Sequence, residues 1–132
     1  MTAAANKTLR GRRNAPFEWR FQVMDGLTPI DLTGYVFAMQ LRQYGAQAGT
    51  ALIDLAMTTT AGAKGIRIVD AAQGKIHIVI PEADINGLPG VHMPEANAAQ
   101  AFPYDLRVSP PSELARVWIE GDFIVQPGVT KP

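Results

Sequence analysis

The chain has 132 residues, with twelve basic and twelve acidic side chains, no cysteine and 47% hydrophobic residues. One domain accommodates that length, and balanced charge gives the molecule as a whole no mandate to bind nucleic acid or an anionic membrane. Without cysteine, disulfides, thiolate metal sites and cysteine nucleophiles are excluded, and no apolar run reaches the eighteen residues of a transmembrane candidate.

The charge is unevenly placed. Lys7, Arg10, Arg12 and Arg13 occur in the first fourteen residues with no acid among them, leaving eight basic against twelve acidic groups, −4, in the remainder. That stretch lacks periodicity, so residues 1–15 are expected to form a basic arm that is disordered or orders only on a partner. The arm could neutralise phosphates, but a solvated tail or an arm docked on an acidic subunit surface is the favoured reading, and four charges without interleaved aromatics specify little.

Residues 16–130 are expected to form a single domain. Phe17, Trp19, Phe21 and Val23 alternate with Glu18, Arg20 and Gln22, the period-2 signature of a half-buried strand over 16–24, with Trp19 facing the core. Asp25-Gly26 ends it, and the Asp and Thr side chains of Asp31-Leu32-Thr33-Gly34 are placed to bond nearby amides in a turn. Further strands are read at 35–43, 51–58, 65–69 and 74–80, the last two as a hairpin on which His77 faces solvent. Pro81 to Leu88 opens a short helical turn, with proline at its start and acids near the N-terminus. Residues 89–101 lack a usable period and read as a loop able to reach a neighbouring subunit, with His92 and Met93 as contact candidates. The chain closes with strands at 103–109, 114–120 and 122–126, separated by Pro110-Pro111 and by Gly121-Asp122. Seven or eight short strands favour two packed antiparallel sheets, with a closed barrel as the alternative.

Chemistry is sparse. His77 and His92 have no second ligand at metal spacing, the carboxylates are scattered, and neither a nucleophile elbow nor a phosphate-cradling glycine loop is present. No catalytic, cofactor-binding or metal-binding residue is assigned, and the chain is not expected to be an enzyme. Trp118, opposite Val117 and Ile119, is divided between packing and a protein interface. The C-terminal segment containing Val129 reads as a tail able to pair with a neighbour's sheet edge.

Asp31 to Tyr35, Gly74-Lys75-Ile76, Pro81 to Leu88, Tyr104 to Leu106 and Gly121 to Val125 together resemble the immunoglobulin-like N-terminal domain of tailed-bacteriophage baseplate upper proteins. The resemblance covers roughly residues 16 to 130 and departs from the family pattern at the long 89–101 connection. It implies an immunoglobulin-like sandwich in a non-enzymatic virion protein, an adaptor of the tail tip or baseplate assembled in the bacterial host cytoplasm. Its partners would be other virion proteins and copies of itself in a symmetric homo-oligomer, with no membrane and no nucleic acid expected. A capsid decoration protein and a receptor- or glycan-binding module are the alternatives. The interface candidates are Lys7, Arg10, Arg12, Arg13, His92, Met93, Trp118 and Val129.

Overall fold

A computed structural model describes residues 5–43, 49–89 and 98–129. Eleven strands are present among them: β1 (Ala5–Asn6), β2 (Leu9–Arg12), β3 (Phe17–Gln22), β4 (Met24–Asp25), β5 (Thr28–Pro29), β6 (Val36–Leu41), β7 (Ile53–Leu55), β8 (Gly65–Asp70), β9 (Lys75–Ile80), β10 (Gln100–Ser109) and β11 (Arg116–Gln126). One helical turn, α1 (Glu82–Asn86), follows β9, inside the 81–88 segment where proline and acids predict it.

The strands form two facing sheets. The larger runs β11-β10-β6-β7, with β1 and β2 both on the outer side of β11; the smaller runs β3-β9-β8. In an immunoglobulin domain the strands divide into one sheet holding B, E and D and another holding C, F and G, extended by C′ in the variable type. Here β3, β9 and β8 take the B, E and D places, and β6, β7, β10 and β11 take C, C′, F and G. The chain is an immunoglobulin-like β-sandwich.

The core lies between the inner faces, where alternation puts Phe37, Met39 and Leu41 of β6, Phe102, Tyr104, Leu106 and Val108 of β10, and Ile76, Ile78 and Ile80 of β9, all buried. Leu32 and Ile85, from the Asp31 turn and α1, close its two ends and are fully buried. The Asp31 carboxylate accepts hydrogen bonds from the Thr33 amide at 2.9 Å and the Thr33 hydroxyl at 2.6 Å. Those bonds hold its pKa below the ordinary carboxylate value.

Five expectations are corrected. The arm is part of the domain: β1 and β2 pair parallel with β11, Ala5 opposite Ile119 and Leu9 opposite Phe123, so the larger sheet is mixed rather than antiparallel. The signal hidden in Leu9-Arg10-Gly11-Arg12 is a two-period alternation, with Leu9 and Gly11 buried and Arg10 and Arg12 exposed. Gly11 is required inside because an added Cβ would come within 2.8 Å of the Phe123 ring.

The strands expected at 114–120 and 122–126 are one strand, β11, which passes through Gly121 without turning. Gly121 has φ 154°, and a side chain there would collide with the Lys7 carbonyl. Its glycine serves a close approach of backbones rather than a turn.

His77 is 3% exposed, not solvent-facing. It sits on β9, the middle strand of the smaller sheet, with Arg20 opposite it on one side and Arg67 on the other. Long flanking side chains cover a central strand in a way that alternation along one strand cannot reveal. Its Nε2 lies 2.9 Å from Glu18 Oε1.

The strand at 16–24 ends at Gln22, after which β4 and β5 form a separate tight hairpin. Gly26, φ 63°, supplies the positive dihedral such a turn needs. At the other end of the chain, β10 begins at Gln100, so the last residues of the predicted 89–101 loop are strand.

Candidate interaction surfaces

The arm's basic residues separate into two roles. Arg13 is 7% exposed, and its guanidinium crosses to α1. Nη1 donates to the carbonyls of Ile85 at 3.2 Å, Asn86 at 3.3 Å and Leu88 at 3.1 Å, and Nη2 donates to that of Pro89 at 3.2 Å. A helix end leaves its last carbonyls without intrahelical donors, and a cation is favoured there by both hydrogen bonding and the helix dipole. Desolvation lowers the pKa of this guanidinium from its ordinary value. Beside it the Asn14 amide donates to Asn86 Oδ1 at 2.8 Å. Arg13 is therefore a structural clamp and is removed from the interface candidates.

Lys7, Arg10 and Arg12 remain exposed. The backbone at Lys7 is fixed from both sides, its amide donating to the Glu120 carbonyl at 2.9 Å and its carbonyl accepting from the Tyr104 hydroxyl at 2.6 Å. Burial raises the Tyr104 pKa to about 12. Arg10 and Arg12 stand beside a depression of about 410 Å³ where β2 crosses over to β3, lined also by Gly11, Pro16, Phe17, Glu18 and Gln126.

A second depression, about 380 Å³, lies on the outer face of the larger sheet. Asp105, Glu120 and Asp122 approach it from β10 and β11, and Asn6, Gln40 and Arg42 complete its polar lining. Among the described residues no group of three or more His, Asp or Glu side chains is placed to hold a metal ion.

Trp118 is half-buried, packed against the core with its ring centroid 5.8 Å from Phe37 and 6.0 Å from Tyr35. The reason is a register shift between Leu106 and Arg107, where β11 carries one extra residue opposite β10. A bulge re-aims a side chain, and strict alternation had put Trp118 opposite Ile119 when both pack against the core. Trp19 likewise packs there beside Phe21, at 4.5 Å. Val129 is 93% exposed. His92 and Met93 lie outside the described residues.

The surface that sequence reasoning missed is one end of the sandwich. The connections 23–35, 71–74 and 110–115 meet there, joined by the Val23 amide to the Gly74 carbonyl, the Leu32 amide to the Ala71 carbonyl, and the approach of Gly34 to Pro111. Of the seven markedly exposed large apolar side chains among the described residues, five stand at this end: Met24, Leu27, Val36, Val69 and Leu114. Leu27 is 96% and Leu114 90% exposed. Each is a lone leucine among turn residues, so periodicity carries no trace of the cluster that topology assembles.

No family model matches the chain, and no curated protein matches it. Among solved structures it is similar to the extracellular domains of the voltage-gated sodium channel beta4 subunit in parallel homodimers, described for their role in cell-cell adhesion. The TM-score is 0.45 at 8% identity, covering 98% of each chain. It is similar also to a structure from a photo-crosslinking study of multimeric cell-adhesive interactions of sodium-channel beta subunits, with TM-score 0.45 and 9% identity over 97% of this chain and 96% of that one.

Proposed function

We propose that this chain is a non-enzymatic assembly module, an adaptor of the tail tip or baseplate of a tailed-phage particle. The observation that supports an assembly role is the loop end, where two nearly fully exposed leucines project from short turns on a rigid sandwich. Exposed apolar side chains gathered on one surface mark an interaction site, and binding residues concentrate on loops held by such scaffolds. The phage setting rests on the sequence resemblance set out above.

The strapped arm suits this role. Residues 5–14 are sewn to β11 and α1 and so belong to the block that the domain presents. Both tryptophans are packed against the core, which withdraws the residues that a sugar-stacking platform would have used.

The test is mass spectrometry of purified particles of the phage carrying this gene, after heads are separated from tails. Recovery with tails supports the adaptor. Recovery with heads replaces it with the capsid-decoration reading, and absence from both overturns the virion assignment.

A further inference from the structure

We infer that the β4-β5 hairpin of one copy docks into the arginine-flanked depression between β2 and β3 of a second copy, giving a head-to-tail contact; this deepens the assembly role proposed above. The hairpin is a compact knob. Leu27 is 96% exposed at its tip and Met24 41% exposed on its flank, while Asp25 in the hairpin and Asp31 just beyond it supply negative charge.

The depression is its complement in charge. Gly11, Pro16 and Phe17 supply the apolar part of a mixed lining, while Arg10 and Arg12 stand exposed at its edge, Arg12 donating to the Pro127 carbonyl at 3.5 Å. Glu18, the carboxylate among its described lining residues, is engaged by His77 at 2.9 Å and lies 3.7 Å from Arg20. Opposite charges on the knob and around the socket steer encounter and fix register.

The charge match makes a second copy of this chain the occupant, and placement makes the contact possible. The hairpin follows the C-terminal end of β3, and the depression lies at the N-terminal end of the same strand, with Phe17 its first residue. Knob and socket thus occupy opposite ends of one side of the sandwich. A contact between two different patches is heterologous and repeats from copy to copy, closing into a ring or continuing as a stack.

The experiment is sedimentation velocity over a concentration series of the full chain, at low and high salt, with Leu27→Lys and the pair Arg10→Glu/Arg12→Glu. All three positions are exposed, so folding survives and circular dichroism checks it. Wild type should associate reversibly and less at high salt. Each variant should lower the association constant about tenfold or more, the scale of losing one buried leucine or a charge-paired rim.

Mixing the two variants is the decisive arm. The arginine variant keeps its knob and L27K keeps its socket, so the mixture should form 1:1 dimers that do not grow. A monomeric wild type, undiminished association of L27K, or a mixture that stays monomeric overturns the inference. If wild type is monomeric yet L27K is lost from purified particles, the knob serves a different virion protein: this inference falls and the assembly role stands. Association by this route in a chain absent from particles gives the reverse.

Discussion

Replacing Arg13 with methionine keeps most of the side chain's length and apolar stem while removing every donor. The Nη1 group has two protons for three carbonyls, those of Ile85, Asn86 and Leu88, and Nη2 supplies one to Pro89, so about three hydrogen bonds are lost. The bonds to Ile85 and Leu88 are buried, whereas those to Asn86 and Pro89 are partly buried and their acceptors regain water. At about 1–2 kcal/mol for each of the two buried carbonyls left without a donor, the loss is about 2–4 kcal/mol. For a domain of this size that corresponds to a midpoint lowered by roughly 7–14 °C. Equilibrium urea unfolding of wild type, R13M and R13K measures it, with R13K expected in between because an ammonium lacks the fork that spans four carbonyls. A loss below about 1 kcal/mol for R13M, or R13K as stable as wild type, would refute the clamp.

Tyr104 provides a pH signature. Its folded pKa of about 12 exceeds the unfolded value near 10, so its contribution is fully present below about pH 10 and declines as pH rises toward 12, by at most about 2–3 kcal/mol. Y104F should flatten that part of the stability curve, and a variant curve parallel to wild type between those values would count against the buried hydroxyl. Gly121→Ala should cost about 2 kcal/mol or more and loosen the β1 pairing, because its Cβ meets the Lys7 carbonyl; limited proteolysis should then cleave within residues 1–8 faster than in wild type. Phe123→Ala should cost about 3–5 kcal/mol in chemical denaturation, since its fully buried ring packs edge-on to Phe17 at 4.8 Å.

The strands whose apolar residues alternate were legible. β3, β6 and the β8-β9 hairpin follow from Phe17 to Phe21, Phe37 to Leu41 and Ile66 to Ile80. The segments that misled are those whose state depends on a distant neighbour. Leu9 looks like one apolar residue in a polar arm until β11 lies beside it. Gly121 looks like a turn until the Lys7 backbone arrives against it. His77 is covered by residues from both flanking strands, and Leu27 and Leu114, 87 positions apart in the chain, come to one end of the sandwich only through the strand order. Sequence patterns report one element's two faces; they do not report which other element will cover them.

The pairing of β1 and β2 with β11 also sets a temporal constraint on how the molecule is made. Ala5 bonds beside Ile119 and Leu9 beside Phe123, so the first strands leave the ribosome more than a hundred residues before their partner exists. At roughly 5–20 residues per second that wait lasts on the order of 5–20 s. Throughout it Leu9 lacks the strand that covers it, and once β10 has been made its edge stays open until β11 follows. Completion of this fold is therefore a late, long-range event of high contact order, and a nascent chain stalled before residue 116 would hold an uncovered β10 edge that invites pairing with another chain.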